Sequence, residues 1–218
     1  MQTCRAFLRG LFQSATRRFR ERRMRRFAAL FGIHEGTRIL DVGGTPDNWQ
    51  LLEVCPRVTL LNMPRGQERS TDRFEFVSGD GCQLPFPDRS FDIVFSNSVI
   101  EHVGSPESQR RFAEETRRVG KGYWVQTPNR LFPVEQHLLM PVLHMLPRAW
   151  QRAVVPRWTI WEWLERPTPD RREFYVDHYL NSVRLLGRRQ LERLFPDARI
   201  SPGRWPGLSK SLLAWRLG

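Results

Sequence analysis

The residues best suited to chemistry in this sequence stand at the end of its first apolar run, where Asp41 is followed by Gly43 and Gly44. An apolar run that ends in an acid and a glycine pair is typical of a parallel strand that meets a ligand at its carboxyl end. Glycines have no Cβ, so the chain can turn sharply there and a ligand can lie against bare backbone. The Asp41 carboxylate then either fixes the start of the loop or meets a cationic group of the ligand. A tight strand-to-helix turn without any ligand is the alternative interpretation.

Two further segments favour the ligand site: Gly79-Asp80-Gly81, and the string Leu84-Pro-Phe-Pro-Asp-Arg-Ser-Phe-Asp-Ile-Val. Together with Asp41-Val-Gly-Gly and the pair Glu101-His102, they resemble the class I S-adenosylmethionine-dependent methyltransferases. The branch that they resemble, the methyltransferase type 11 domains, contains the quinone-biosynthesis C-methyltransferases. The resemblance covers residues 36–128 well and the C-terminal end more loosely.

This resemblance implies S-adenosylmethionine as the cofactor, bound by the Asp41 turn and by two further strand ends. In the family, the second strand ends in an acid that accepts hydrogen bonds from both ribose hydroxyls. Here that position holds Asn62, an amide that can accept one bond and donate another. Asp80 would accept a hydrogen bond from the adenine amine. The backbone N–H groups of Gly81 and Cys82 come directly after Asp80, and the next N–H in the chain would donate to a ring nitrogen of the adenine.

The end of the fourth strand would face the methionine part of the cofactor, through Ser96 and Asn97. Two histidines near this end are candidate general bases, His102 just after the fourth strand and His137 after the fifth. An imidazole has an unperturbed pKa of about 6.5, so it can accept a proton near neutrality. The alternative for His102 is a residue that fixes the start of a helix through local hydrogen bonds.

The formal net charge of +12 is concentrated near the N-terminus, because residues 1–31 hold nine arginines and one acid, Glu21. Apolar residues recur there at three- and four-residue intervals, which predicts one amphipathic helix or two in a basic arm over residues 1–35. Either the arginines meet anionic lipid headgroups or a partner, or the apolar stripe packs on the domain while the arginines face water. Nucleic acid is not an expected partner, since no RNA-binding module accompanies the charge.

The cysteines Cys4, Cys55 and Cys82 are odd in number, and their spacing matches no zinc or disulfide framework. We therefore expect a reducing compartment and no metal site. The longest apolar stretches, such as Leu138 to Leu143, are too short to cross a bilayer. The expected location is the cytoplasm, and peripheral contact of the basic arm with a membrane is compatible with it. A mitochondrial leader is the alternative interpretation of that arm.

The order of apolar runs predicts an α/β fold for residues 36–218. Five strands alternating with helices form a parallel sheet, and strands at Ala198–Ile200 and Ser211–Trp215 add a C-terminal antiparallel hairpin. The result is a Rossmann-like, seven-stranded methyltransferase sheet with helices on both faces. A helix is expected over Asp47–Cys55, directly after the glycine turn. Another is expected over Pro106–Val119, begun by Ser105 and ended by Gly120.

Residues 130–177, which we call the cap, interrupt this pattern with many prolines and with four tryptophans: Trp150, Trp158, Trp161 and Trp163. An insertion after the fifth strand lies above the cofactor in this fold, so we expect it to shape the acceptor site. Its aromatic rings favour an apolar, ring-shaped or lipid-like acceptor. The alternative is a segment that simply covers the sheet or dips into an interface.

The predicted function is therefore methyl transfer from S-adenosylmethionine to a small-molecule or lipid-linked acceptor. The first alternative is a catalytically weak or inactive scaffold of the same fold, docked through its basic arm. An RNA-modifying enzyme is suggested by charge alone. A nicotinamide enzyme is disfavoured, because the sequence lacks a third glycine to approach a pyrophosphate.

Overall fold

The computed structural model describes residues 2–64, 70–135, 137–138, 140–155, 159–160, 162, 166–205 and 208–218. Side chains are described from residue 17 onward, except those of residues 204 and 205. Gln136, Trp158, Trp161 and Trp163, which the sequence analysis assigned to the cap, lie outside the described residues.

The described strands build one large sheet and one small hairpin. They are β1 (Arg38–Val42), β2 (Arg57–Asn62), β3 (Phe74–Ser78), β4 (Phe91–Asn97), β5 (Gly120–Pro128), β6 (Val134–Glu135), β7 (Met140–Pro141), β8 (Arg199–Trp205) and β9 (Leu208–Arg216). The large sheet has seven strands in the order β3-β2-β1-β4-β5-β9-β8, and β6 pairs with β7. Strands β1 to β5 pair in parallel, whereas β9 runs antiparallel to both of its neighbours.

The central strands are apolar on both faces, as a sheet covered by helices requires. Successive side chains of a strand point to opposite faces. Leu40 and Val42 of β1 accordingly pack in one core cluster, while Ile39 packs in the cluster on the other face. The strand order reverses between β1 and β4, whose carboxyl ends therefore flank the place where this class of sheet binds ligands.

The predicted fold class is confirmed, including the C-terminal antiparallel hairpin, and β4 lies beside β1. The predicted strands at Ala198–Ile200 and Ser211–Trp215 are too short, because β8 and β9 pair from Arg199 and Trp215 as far as Trp205 and Leu208. Gly203 lies opposite Ser211, and a Cβ at this glycine would overlap the Ser211 hydroxyl, so the two strands approach closely there.

The described helices are α1 (Gln2–Phe31), α2 (Pro46–Trp49), α3 (Pro106–Val119), α4 (Arg148–Val154), α5 (Pro169–Ser182) and α6 (Arg188–Leu194). The α3 bounds match the prediction, and the Ser105 hydroxyl accepts a hydrogen bond from the Ser108 N–H at 3.0 Å to cap it.

The predicted helix over Asp47–Cys55 is wrong, since α2 ends after one turn at Trp49. The Trp49 ring is fully buried, and its backbone carbonyl accepts a hydrogen bond from the Arg73 guanidinium at 2.6 Å. The same carbonyl accepts the Leu52 N–H at 3.3 Å, a 3-10 type bond that closes the turn and does not continue an α-helix.

The helix α1 is continuous, and its C-terminal part packs on the sheet. Met24 and Phe27 are fully buried. The Phe27 ring makes edge-to-face contacts with Phe95, Trp124 and Trp49 at centroid distances of 5.0, 5.6 and 6.0 Å. These contacts anchor the basic arm to the face of the sheet that carries the second core cluster.

The cap and the end of α5 contain a third, separate core cluster. It consists of Leu138, Leu143, Val155, Tyr179 and Val183. α5 continues past residue 177, so this small core joins the cap to the rest of the chain. Among the described helices, none is long and apolar enough to span a membrane.

Candidate functional site

The turn after β1 requires both of its glycines. Gly43 has a φ of +75°, and a Cβ there would lie 2.5 Å from a methyl group of Val99. A Cβ at Gly44 would overlap the carboxylate of Asp41. Gly43 itself is exposed, so the turn presents backbone at the surface where β1 and β4 end.

Asp41 lies beneath this turn, and its side chain does not project from the lip. It is only 1% exposed. One carboxylate oxygen accepts a hydrogen bond from the Trp49 indole N–H at 2.8 Å, and the other has no partner. Burial raises the pKa of Asp41 to about 7, against the opposing effects of the Trp49 bond and the Arg23 charge. The bond to Trp49 ties the end of β1 to α2 across the glycine turn.

We expect Gly44→Ala to lower the free energy of unfolding by about 1–3 kcal/mol, because the new methyl group must displace a buried carboxylate. Chemical denaturation measures this loss. The same substitution in an Asp41→Ala background is the matched control, since the overlap is then removed. An equal cost in both backgrounds would contradict the assignment of the strain to Asp41.

Asn62, at the end of β2, reaches the same turn from the other side. Its Nδ2 donates a hydrogen bond to the Gly44 carbonyl oxygen at 2.9 Å. An acid at this position could not donate, so the amide fits this particular glycine turn. Asn62 is partly buried, and the neighbouring Met63 is 61% exposed.

The segment after β3 forms a compact turn beside the first one. Asp80 is exposed, and its Oδ1 accepts a hydrogen bond from the Cys82 N–H at 2.9 Å. A Cβ at Gly81 would lie 2.9 Å from Val42 and 3.0 Å from Phe112, so only glycine fits without displacing its neighbours. Burial, followed by the charge of Asp80, raises the pKa of the Cys82 thiol to about 11, so it stays protonated at neutral pH.

Ser96 and Asn97 at the end of β4 differ in what they face. Ser96 is fully buried, and its hydroxyl donates to the Val42 carbonyl at 3.2 Å, so it ties β4 to β1 below the strand ends. Asn97 is partly exposed, and its Oδ1 accepts a hydrogen bond from Arg23 at 2.9 Å.

Arg23 is a residue of this site that the sequence analysis missed. Its guanidinium extends from α1 to the end of β4 and also donates to Asn48 Oδ1 at 3.2 Å. Burial, followed by the charge of Arg20, lowers the pKa of Arg23 to about 10, and Asp41 partly offsets this. The Nε atoms of Arg20 and Arg23 are buried without hydrogen-bond partners. Arg23 is therefore a partly buried cation at the end of β4 with a donor to spare, and Arg20 adds a positive charge near it.

We use the name strand-end site for Asp41–Gly44, Asn62, Asp80–Cys82, Asn97 and Arg23. The carboxyl ends of four adjacent parallel strands bring these residues together. One feature of the sequence indicates Arg23: it lies four residues before Phe27, on a helix whose apolar stripe packs on the sheet.

The two candidate bases, His102 and His137, are in direct contact, with their Nε2 atoms 3.1 Å apart. His102 lies in a 3-10 turn after β4, and its Nδ1 is 3.1 Å from Nε2 of His178 on α5. His137 follows β6, and its Nδ1 is 2.6 Å from Oε1 of Glu135. Glu101, His102, Glu135, His137 and His178 form what we call the histidine cluster. Sequence analysis named two of its members as bases but did not predict that they meet.

The two central imidazoles of the histidine cluster have opposite pKa shifts. Burial, together with His137 and His178, lowers the pKa of His102 to about 4. Burial also acts to lower the pKa of His137, but the hydrogen bond and charge of Glu135 outweigh it and raise that pKa. Among the two, His137 is therefore the imidazole that holds a proton more tightly.

Comparisons with known proteins find similarity to methyltransferases. Residues 38–122 match a family model described as a methyltransferase domain. A sterol 24-C-methyltransferase of Gibberella zeae is 32% identical over 124 residues, which cover 51% of this chain and 30% of that protein. A ubiquinone/menaquinone biosynthesis C-methyltransferase of Methylobacterium nodulans is 27% identical over 157 residues, 69% of this chain and 56% of that protein. This chain thus matches between 30% and 56% of the length of these relatives.

A solved structure has the same fold over most of both chains. It is a SAM-dependent methyltransferase from Methanosarcina mazei, with a TM-score of 0.50 and 15% sequence identity. The match covers 85% of this chain and 94% of that one.

Proposed function

We propose that this chain, whose residues 38–122 match a methyltransferase domain, transfers a methyl group from S-adenosylmethionine to an apolar or lipid-linked acceptor. The observation that carries the proposal is the glycine turn at the point where the strand order reverses. There Gly43 is exposed, and both glycines stand where a Cβ would collide with the protein. Such a turn lets a ligand lie against the backbone at the carboxyl end of β1.

The residues of the strand-end site fit the parts of S-adenosylmethionine. Asp80 is exposed beside the Gly81 turn and offers a carboxylate to the adenine amine. The Asn62 carbonyl oxygen can accept a bond from a ribose hydroxyl while its Nδ2 remains on Gly44. The cofactor, when bound, supplies an activated methyl group on a positively charged sulfur.

Arg23 would hold the carboxylate of the cofactor's methionine part. A guanidinium offers five N–H donors, and two of the Arg23 nitrogens are held by Asn97 and Asn48. Arg20 adds a second positive charge whose Nε also lacks a partner. A carboxylate at the end of β4 would offset the repulsion between these two arginines.

We expect Arg23→Ala to weaken S-adenosylmethionine binding by about 10- to 100-fold, the loss typical of a hydrogen bond to a charged group. Equilibrium dialysis measures the affinity. Arg22→Ala is the matched control, because Arg22 lies on the exposed side of the same helix. Equal affinities of the two variants would contradict the role given to Arg23.

The cap supports an apolar or lipid-borne acceptor. Among the described residues, ten large apolar side chains are exposed, and seven of these lie in the cap: Leu131, Val134, Val142, Met145, Trp150, Ile160 and Phe174. Exposed apolar side chains that cluster in one region mark surfaces that bind apolar ligands, membranes or other proteins. The histidine cluster links the cap to the turn after β4, because Glu135 and His137 belong to the cap whereas Glu101 and His102 follow β4.

Transfer to a lipid-borne acceptor can be tested with S-adenosylmethionine that carries a deuterated methyl group. The full chain is incubated with the polar and the lipid fractions of a cell extract, and mass spectrometry follows the label. The proposal predicts labelled product in the lipid fraction. Label confined to the polar fraction would contradict an apolar acceptor.

A second candidate function is a scaffold that keeps the fold but binds the cofactor weakly and does not transfer the methyl group. Asn62 favours it, because the amide that replaces an acid is already bonded to Gly44. A folded chain that gives no heat with millimolar S-adenosylmethionine and no label in any fraction would favour the scaffold over the enzyme.

A further inference from the structure

Three separate parts of the chain bring metal-binding side chains to one place. Glu101 and His102 come from the turn after β4, and His137 comes from the segment after β6. One ligand atom from each of these three residues lies within 4.8 Å of the others. The Nε2 atoms of the two histidines are 3.1 Å apart. Two ligands that each stand about 2.1 Å from one zinc ion have a similar separation.

The orientation of His137 is the one that metal-binding histidines have. Its Nδ1 lies 2.6 Å from Oε1 of Glu135, and that glutamate is fully buried. The two Glu135 oxygens also accept the backbone N–H groups of His137 and Leu138, at 3.0 and 2.6 Å. The carboxylate is therefore fixed and holds the proton on Nδ1, which leaves the lone pair of Nε2 directed at His102. A carboxylate behind the imidazole is the usual support of a histidine ligand.

Glu101 supplies the second, independent observation. Its side chain is fully buried, and Oε2 accepts a hydrogen bond from Thr127 at 3.0 Å. Oε1 is buried with no hydrogen-bond partner and lies 3.9 Å from Nε2 of His102. A buried carboxylate oxygen without a donor is costly unless a cation or a proton balances it. Two imidazole nitrogens beside it provide the remaining ligands for a cation.

We propose that Glu101, His102 and His137 bind a divalent transition-metal ion through one carboxylate oxygen and two Nε2 atoms. Two imidazoles and a carboxylate suit zinc and its neighbours in the first transition row rather than magnesium or calcium, which prefer oxygen ligands. His102 would then donate from Nδ1 to Nε2 of His178, so the support of the second histidine is also present. The sequence analysis expected no metal, because it considered the cysteines and not these histidines.

Three protein ligands leave a coordination position open at a partly exposed place, since 29% of the His102 side chain is accessible. An acceptor oxygen bound there would have its pKa lowered by the ion. This consequence rests on the proposed function, whereas metal binding itself does not.

The competing arrangement has no metal. His178 would donate to His102, His102 to His137, and His137 to Glu135, in one chain of hydrogen bonds. His102 and His137 would then be the general bases expected from sequence. This arrangement gives no role to the unpartnered oxygen of Glu101, and it predicts no metal affinity above that of a surface histidine.

Zinc titration of the full chain separates the two arrangements. The protein is stripped with a chelator and titrated with zinc chloride by calorimetry, and bound zinc is counted by elemental analysis. We expect one zinc ion per chain. Affinity should fall by at least about tenfold in His137→Ala, Glu101→Gln and Glu135→Gln. His144→Ala is the matched control, because His144 lies in the cap outside the cluster and bonds only the Arg130 carbonyl.

Glu101→Gln also distinguishes a metal ligand from a residue that only stabilises the fold. The substitution keeps the size of the side chain and its acceptor for Thr127, so the variant remains testable if an alanine variant does not fold. Without zinc, its melting temperature should equal or exceed that of the wild type, because a buried charge is removed. A wild type that binds no zinc, or variants that bind it as tightly as the wild type, would overturn the proposal without affecting cofactor binding.

Discussion

Phe27→Ala is expected to lower the free energy of unfolding by about 3–5 kcal/mol, the usual loss for a buried aromatic ring. Phe27 is fully buried among Phe95, Trp124 and Trp49, and it lies one helical turn from Arg23. The variant should therefore also bind S-adenosylmethionine more weakly, since α1 would no longer fix the guanidinium above the end of β4. Chemical denaturation and equilibrium dialysis measure the two losses.

Phe174→Ala is the matched control for stability, because that ring is 69% exposed. It should change the free energy of unfolding by no more than about 0.5 kcal/mol. If Phe27→Ala lost stability but kept the affinity of the wild type for the cofactor, the link between the basic arm and the strand-end site would be contradicted.

Trp49→Ala is the second substitution with a large expected effect, again about 3–5 kcal/mol from lost packing. Trp49→Phe isolates the other role of this residue. It keeps an aromatic ring but removes the indole N–H that donates to Asp41 at 2.8 Å. A buried acceptor without its donor costs about 1–3 kcal/mol, and more when the acceptor is charged.

The cost of Trp49→Phe should depend on pH in a definite direction. Burial raises the pKa of Asp41 to about 7 in the folded protein, whereas an unfolded aspartate titrates near about 4. The folded state thus binds the proton more tightly, so the contribution of Asp41 to stability falls as the pH rises through this window. The lost indole bond favoured the ionised form, and the variant should therefore be penalised more at pH 8 than at pH 5. Thermal melting across this range measures the difference. A gap between wild type and variant that stays constant with pH would contradict a buried, titrating Asp41.

The strands and α3 could be predicted from sequence because their signals are local. The apolar run before Asp41, the capping Ser105 and the three- and four-residue periodicity of α3 each act within a few residues. The length of the helix after the glycine turn could not be predicted in this way, because Trp49 is held by Asp41 beneath it and by Arg73, 24 residues away.

The same distinction separates the parts of the candidate site. Its glycines, Asn62 and Asp80 stand next to recognisable strand ends and were named from sequence. Arg23 meets Asn97 across 74 residues, and His102 meets His178 across 76. No periodicity connects such positions, so their contacts follow only from the packing of α1 on the sheet and of α5 beside the turn after β4.

Titration calorimetry of the wild-type chain with S-adenosylmethionine tests the central claim most directly, with a nicotinamide dinucleotide as the comparison ligand. We expect a saturable signal for one molecule of S-adenosylmethionine per chain and none for the dinucleotide. An absence of heat with S-adenosylmethionine at millimolar concentration would contradict a cofactor site at the ends of β1 to β4.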